Sequence, residues 1–293
     1  METMESLKRR VHTAEDLHSL VRTMKALAAV NIRQLEHAVD SLSDYRRTVE
    51  LGLRVVLQQR GSSVVTSRTA PERSLGTIVF GSDQGMCGQL NDQIVAKTLS
   101  YIAECPVSVD NRITLAVGAR AAGRLEDAGE PLEATLPVPS STSGITPLLQ
   151  EILLHLDRWH AERQVERVVV FYCEHLSRAA YRPHLLELLP LDRRWLANLE
   201  REKWPTHILP TFTMDADRLF SALVRQYLFV SLYRACAESL ASENASRLAA
   251  MRGAERNIGE RITVLTSLFH QTRQMAITEE LLDIAAGFEA LSE

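Results

Sequence analysis

The sequence predicts an α/β fold in which a central Rossmann-like domain is combined with a long antiparallel coiled coil of the N- and C-terminal helices. Three observations predict this fold. All ten prolines lie between Pro71 and Pro210, so about seventy residues before them and about eighty after them lack the residue that interrupts helices. Apolar residues in both proline-free arms recur at steps of three or four. Between the arms, short apolar runs alternate with helical patterns, as in α/β domains.

The first arm, residues 1–70, is predicted to be one long helix. Fourteen steps of three or four residues lead from Leu7 to Val56, about 3.5 residues per step, which is the period of a coiled coil. Charged residues occupy the positions between and form a solvated face. The predicted seam is Leu7, Val11, Ala14, Leu17, Val21, Met24, Ala28, Ile32, Leu35, Val39, Leu42, Tyr45, Val49, Leu53 and Val56.

The last arm, residues 213–293, shows the same rhythm, with Asp215 or Asp217 as the N-cap of its helix. Asn244 interrupts its apolar seam, either as a surface residue slightly off register or as a hydrogen-bonding residue that sets the register between two helices. The predicted seam is Leu219, Leu223, Tyr227, Val230, Tyr233, Ala237, Leu240, Asn244, Leu248, Met251, Ala254, Ile258, Ile262 and Leu265.

The last arm is also the longer one, so its final segment is expected to extend beyond the part that pairs with the first arm. A single helix cannot bury an apolar stripe by itself. We therefore expect a molecule outside this chain to surround the segment. Its apolar residues are Met275, Ile277, Leu281, Leu282, Ile284 and Phe288.

The middle part, residues 71–212, is predicted to be a Rossmann-like α/β domain. Its pattern predicts strands at Leu75–Phe80, Arg112–Val117, 133–138, 165–173 and, as an edge strand, 207–212. It predicts helices at 90–102, 119–128 and 145–163. The stretch 193–204, which contains Trp195 and Trp204 among basic residues, is expected to be weakly structured and to contact a protein or lipid head groups rather than nucleic acid.

Composition excludes several classes of protein. The net charge of -4 gives no general attraction to nucleic acid, and no run of eighteen apolar residues predicts a membrane span. The four cysteines form no CxxC pair, which favours reduced thiols in a cytosolic setting. No group of histidines and acids has the spacing of a metal site, so we expect neither a metal nor a cofactor.

The glycine-rich turn GSDQGMCG at residues 81–88 is the one motif that suggests chemistry. It lacks both the G-x-G-x-x-G spacing and the lysine of a phosphate-binding loop, so nucleotide binding is not expected. Cys87 follows a strand, as nucleophiles do in some α/β enzymes, but the sequence assigns it no base. A small buried thiol in a tight turn is the favoured interpretation. A soluble α/β enzyme centred on Cys87 and a coiled-coil scaffold protein remain the alternative functions.

Segments at residues 22–29, 82–91 and 237–281 carry motifs of a known family, and by them the chain resembles the gamma subunit of F-type ATP synthases. RTMKALAA at residues 22–29 is similar to the family's KAMKMVAA segment, and SDQGMCGQLN at 82–91 is similar to its SDRGLCGGLN. The third segment runs from AESLASEN at 237–244 to RQMAITEEL at 273–281. The resemblance covers both arms and the centre, which is effectively the whole chain.

This resemblance implies a non-catalytic central rotor shaft that couples ion-driven rotation of a c-ring to conformational cycling of the catalytic beta subunits. It implies a ring of three alpha and three beta subunits, an epsilon subunit and the c-ring as partners. It also implies a peripheral position in the F1 sector on the cytoplasmic side of a bacterial inner membrane. By motif, the positions that contact the ring are Met24, Lys25, Arg273, Gln274, Thr278 and Glu279.

Three residues depart from the family pattern. Asn31 replaces the usual lysine after the Ala-Ala step, Gln84 the usual arginine of the turn, and Gln89 its usual second glycine. These departures affect charge-dependent contacts and leave the shaft architecture unchanged. They suggest a divergent branch that resembles the alternative N-type ATPases of some bacteria, while the driving ion is determined by the c-ring and not by this chain.

Overall fold

The structure, a computed structural model, describes residues 3–60, 74–177, 180–202, 204 and 210–292, with the backbone alone at 60, 177 and 287–292. It divides into two compact units, which we call the helical unit (Met1–Ala28 with Leu248–Glu293) and the sheet unit (Ala29–Arg247). The helices are α1 Met4–Arg60, α2 Leu90–Glu104, α3 Ala119–Asp127, α4 Ile145–Arg163, α5 Arg193–Arg201 and α6 Ala216–Ser292. The strands are β1 Leu75–Phe80, β2 Arg112–Val117, β3 Leu132–Leu136, β4 Arg167–Ser177 and β5 Ala180–Leu189.

The sheet unit contains one five-stranded sheet in the order β3-β2-β1-β4-β5. The pairs among β3, β2, β1 and β4 are parallel, and β5 runs antiparallel to β4. All six residues of β1 are buried, as expected for a central strand covered on both faces. The predicted Rossmann-like sheet is confirmed, and its strand order reverses between β1 and β4.

Helices cover both faces of this sheet, and successive β1 residues point to opposite faces. Ile78 and Phe80 pack in one core with α4 and the first part of α6, whereas Leu75 and Val79 pack in a second core with α2 and α3. Within the first core, Trp159 of α4 is almost fully buried, and its indole N–H donates to a Glu133 carboxylate oxygen. Burial on both faces explains why β1 reads as a continuous apolar run.

Within the sheet unit, α1 and α6 pack against each other in antiparallel directions. Asn31 Nδ2 donates to Asn244 Oδ1 at 3.4 Å, and Tyr45 Oη donates to Gln226 Oε1 at 2.8 Å. Asn244 is 7% exposed and also donates to the Leu240 carbonyl at 2.8 Å. The hydrogen-bonding interpretation of Asn244 is therefore confirmed, and the surface interpretation is wrong.

Within the helical unit, the two helices are again antiparallel. Leu7 and Ala14 of α1 form a small core with Leu265 of α6, and Lys25 forms an ion pair with Glu255. The predicted seam is wrong at Leu17, which is 48% exposed. His18 occupies the seam instead. A period of 3.5 residues is compatible both with a step of three from Ala14 to Leu17 and with a step of four from Ala14 to His18.

Two predictions for the middle part need correction. The edge strand is β5, which the sequence analysis missed because Pro183 interrupts its apolar pattern; proline is tolerated on edge strands. Of the strand predicted at 207–212, residues 207–209 lie outside the described residues, and 210–212 are not in a strand. The stretch expected to be weakly structured contains helix α5, capped by Asp192, which accepts from the Arg194 amide at 2.8 Å.

Candidate partner-contact surface

Met24 and Lys25, the contact residues predicted on α1, are both half-buried in the helical unit. The Lys25 ammonium donates to a Glu255 carboxylate oxygen on α6. This hydrogen bond is the main cause of a lowered pKa of Glu255. Desolvation opposes it, and the charges of Lys25, His18 and Arg22 lower the pKa further. The Lys25 ammonium is therefore already paired with a carboxylate of the same chain, so its charge is less available to attract a partner protein.

The four predicted residues on α6, Arg273, Gln274, Thr278 and Glu279, are all exposed. Thr278 Oγ1 donates to the Gln274 carbonyl one turn earlier at 2.9 Å, so these two residues share a helix face. Glu255, the partner of Lys25, precedes Arg273 by eighteen positions, about 27 Å of helix. The structure therefore places the predicted contacts in two separate groups.

The α6 segment that contains these residues also carries an exposed apolar surface. The small core with α1 ends at Phe269, and residues 273–286 are all exposed. The side chain of Phe288 lies outside the described residues. An exposed apolar group of this size is typical of a surface that binds another protein. The exposed fractions are 56% for Met275, 47% for Ile277, 62% for Leu281, 64% for Leu282 and 65% for Ile284.

A second exposed apolar group lies on α1 and was missed in the sequence analysis. Leu20 and Leu27 are 56% and 58% exposed, and with Leu17 and Met24 they repeat at helical spacing. The signal was present, because these leucines form a stripe beside the seam. It was overlooked because the seam was assigned to Leu17. The helical unit thus presents apolar side chains to the outside from both of its helices.

The glycine-rich turn forms structural contacts inside the sheet unit. Asp83 Oδ1 accepts from the Ala119 amide at the start of α3 at 2.8 Å, and its Oδ2 accepts from the Val138 amide at 2.7 Å. A protein carboxylate therefore occupies the N-terminus of α3, where the free backbone amides of a helix could otherwise bind an anion. Open α/β sheets bind ligands where their strand order reverses. Here that point lies between β1 and β4, and α6 forms hydrogen bonds with both β4 and the turn after β1.

Cys87 in this turn has the surroundings of a structural thiol. It is 2% exposed, and its Sγ lies 3.5 Å from both Ser82 Oγ and Asn91 Nδ2 and 3.7 Å from the Gln84 carbonyl oxygen. None of these three contacts is a general base that could activate a nucleophile. The buried-thiol interpretation agrees with this geometry.

Of the aromatic and basic residues near α5, Trp195 is used in packing, whereas Arg193, Arg194 and Arg201 are exposed. The Trp195 ring stacks on Tyr227 with centroids 4.6 Å apart, and Leu196 and Leu199 join the same small core. Arg54 of α1 forms an ion pair with Glu202. Lys203 lies outside the described residues. Stacked on Tyr227, Trp195 is poorly placed to stack on a nucleic-acid base.

Over the part of the chain that the structure describes, no group of three or more His, Cys, Asp or Glu side chains has the arrangement of a metal site. In the same ranges, no helix has the length and apolar character needed to cross a bilayer.

Comparison with known proteins identifies the family. The family model described as ATP synthase matches residues 3–291, nearly the whole chain. The chain belongs to the ATP synthase gamma family. An ATP synthase gamma chain from Nostoc punctiforme is 27% identical over 322 aligned residues, covering all of both sequences. One from Polaromonas sp. is 25% identical and covers 98% of this chain and 99% of the relative.

Solved structures share the fold of this gamma-family chain. A chain in the rotor of the Euglena gracilis mitochondrial ATP synthase matches with a TM-score of 0.61 and 17% identity, covering 94% of this chain and 98% of that one. A chain in the central stalk and c-ring structure of the Tetrahymena thermophila mitochondrial enzyme matches with a TM-score of 0.58 and 22% identity, over 80% and 99% of the two chains. The predicted combination of paired helices and a Rossmann-like sheet is thus confirmed as the fold.

Proposed function

We propose that this chain is the central rotating subunit of an ATP synthase and couples ion-driven rotation to conformational cycling of catalytic beta subunits. The observation that carries the proposal is the exposed apolar segment of α6 around Leu281 and Ile284, which lies beyond the α1 residues that could cover it. Full-length similarity to gamma chains supports the same role. An asymmetric shaft that turns inside a ring would stabilise a different conformation of each catalytic subunit in turn.

The proposed partners are a ring of three alpha and three beta subunits, an epsilon subunit and a membrane-embedded c-ring. We assign the ring contacts to Met24, Lys25, Arg273, Gln274, Thr278 and Glu279, with the exposed leucines of α1 and α6 as additional apolar contacts. The chain would lie at the cytoplasmic face of a bacterial membrane, held there by the c-ring. Assignment to a divergent N-type branch stays a prediction based on Asn31, Gln84 and Gln89.

In functional terms we divide the chain into residues 1–70 and 213–293 as the shaft and residues 71–212 as the foot. The foot would receive rotation from the c-ring, and the shaft would deliver it to the ring. Chemistry would occur on the beta subunits, so this chain would contribute no catalytic group. Burial of Cys87 among Ser82, Asn91 and a backbone carbonyl argues against the alternative enzyme.

Co-expression with candidate alpha and beta ring subunits tests the proposal. We expect size-exclusion chromatography to yield one large complex that hydrolyses ATP, while the isolated chain hydrolyses none. Sedimentation of the isolated chain at several concentrations tests the scaffold alternative, which predicts self-association through the helices. A chain that never enters the complex would contradict the proposed function.

A further inference from the structure

Two serines one turn apart on α6 connect that helix to the sheet. Ser242 Oγ donates to the carbonyl of Cys173 in β4 at 2.8 Å, and Ser246 Oγ donates to the carbonyl of Cys87 in the glycine-rich turn at 2.5 Å. Both serines are buried, at 0% and 7% exposure. The serines therefore contact β4 and the turn that follows β1. The strand order of the sheet reverses between β1 and β4.

Both carbonyls need these donors. The residue opposite Cys173 on β5 is Pro183, which has no N–H to donate, and β1 pairs with β4 only as far as Phe171. Ser242 Oγ also lies 2.8 Å from the Glu238 carbonyl on its own helix, so its proton is shared. The Cys87 carbonyl has one other contact, the Leu90 amide at 3.4 Å, which is long for a hydrogen bond.

The turn is shaped to receive Ser246. Gly88 has a φ of +58°, and a Cβ built there would lie 3.0 Å from Ser246 Oγ. Glycine supplies the left-handed backbone at little cost and leaves room for the hydroxyl. Glu243 and Arg247 of the same α6 segment form an ion pair with Oε1 and Nη2 2.5 Å apart.

The buried part of α6 near these serines combines small side chains with the larger Leu232, Glu238 and Leu240. Ala235, Ala237, Ala241 and Ala245 are all at most 2% exposed, so small side chains let the helix lie close to its neighbours. The hydrophobic effect that drives apolar packing is not directional. Hydrogen bonds, in contrast, require a defined distance and angle. The two serines therefore provide directional contacts that help to define the rotational position of α6 against the sheet.

We propose that Ser242 and Ser246 are positioning residues that transmit torque between the sheet and α6. This inference rests on the proposed rotor function. Under load, a twisting force applied to the sheet would reach α6 through these two bonds, and α6 continues without interruption from Ala216 to Ser292. Without the two hydrogen bonds, α6 would still rotate together with the sheet when the opposing torque is low. When the opposing torque is high, α6 would shift relative to the sheet.

The test compares the complex containing the wild-type chain with one containing the double variant Ser242→Ala/Ser246→Ala. Each is reconstituted with its c-ring in vesicles, and the readout is the number of ions pumped per ATP hydrolysed, without and with an opposing gradient. We expect assembly and unloaded hydrolysis to be unchanged and the ratio against the gradient to fall by roughly two-fold or more. The matched control is Ser221→Ala, whose exposed hydroxyl donates to the Asp217 carbonyl of the same helix at 2.9 Å.

The outcomes separate the two proposals. An unchanged ratio in a double variant that assembles would overturn the torque role alone. If the wild-type chain itself does not assemble or pump, the rotor function and this inference both fail. Should the double variant not fold, Ser246→Ala alone gives the same readout, and an unchanged ratio there counts against the inference equally.

Discussion

The Lys25 ammonium on α1 donates a hydrogen bond to the Glu255 carboxylate on α6 within the helical unit. The pair was not anticipated, because motif similarity assigned Lys25 to a partner and nothing in the sequence connected it with Glu255. Both side chains are about one-quarter to one-third exposed, at 31% and 25%. The pair fixes which residues of the two antiparallel helices lie side by side.

Glu255→Gln is expected to loosen the helical unit near this pair at neutral pH. Because Lys25 lowers the pKa of Glu255, the stabilisation is present above the ordinary value of 4.5 and is lost as pH falls through the lower folded-state pKa. Amide hydrogen-exchange protection of residues 20–28 and 250–258 should therefore fall in the variant at pH 7. Once the pH falls below the lowered pKa of Glu255, the two proteins should become similar, since the wild-type carboxylate is then protonated as well. A pH-independent difference would contradict the role of the charge.

Because Lys25 is already paired, we expect Arg273 to contribute more to ring binding. Arg273→Ala should weaken the affinity of the chain for an alpha and beta ring by roughly three-fold to tenfold, more than Lys25→Ala does. A fluorescence titration of labelled chain with the purified ring measures both. Equal effects, or a larger effect at Lys25, would show that the pair with Glu255 opens on assembly.

Two glycine substitutions should have opposite effects on the sheet unit. A Cβ at Gly81 would lie 2.3 Å from the Ala121 Cβ, whereas a Cβ at Gly123 in α3 has nothing within 4 Å. Gly81→Ala is expected to lower the free energy of unfolding by about 3 kcal/mol or more, since backbone must move. Gly123→Ala should raise it by about 0.5–1 kcal/mol through helix propensity. Urea unfolding followed by circular dichroism measures both, and effects of the same sign would refute the packing described at Gly81.

Asp83 should contribute to the stability of the foot and not to ligand binding. Asp83→Ala leaves the amides of Ala119 and Val138 without their acceptor and is expected to cost about 2 kcal/mol in the same unfolding assay. The control is Asp92→Ala, since its pair with Arg124 is exposed and should contribute about 0.5 kcal/mol. Thermal stabilisation of the wild-type chain by nucleotides, absent in the Asp83 variant, would indicate a phosphate site instead.

The exposed α6 segment should matter for assembly and not for folding. Leu281→Ser/Leu282→Ser is expected to change the stability of the free chain by less than about 0.5 kcal/mol and to weaken ring binding by roughly tenfold or more. Leu154→Ser is the matched control, because this α4 leucine is 57% exposed. Unaltered ring affinity in the double variant would mean that these leucines are not enclosed.

Much of the architecture follows from the sequence because it depends on periodicity. The strands Leu75–Phe80 and Arg112–Val117 were predicted with their observed bounds, since both are buried on two faces and read as continuous apolar runs. The edge strand β5 was missed because half-exposed strands with a proline lack that signal. Whether Leu17 or His18 faces α6 depends on how the residues of α6 are positioned along α1. The sequence of the first arm alone does not contain that information.

The contacts of the candidate site were less predictable for a related reason. The pairs Lys25–Glu255 and Ser246–Cys87 join residues more than 150 positions apart, and no local pattern encodes such contacts. Motif similarity indicated which segments matter. It could not show that one predicted contact residue is engaged within the chain.

Direct observation of rotation tests the central claim. The alpha and beta ring is fixed to a surface, and a bead is attached to the foot through Glu126→Cys, an exposed position on α3, in a Cys105→Ser background. We expect the bead to turn continuously in one direction when MgATP is added and to stop when ATP is removed. A complex that hydrolyses ATP while the bead stays fixed would contradict the account.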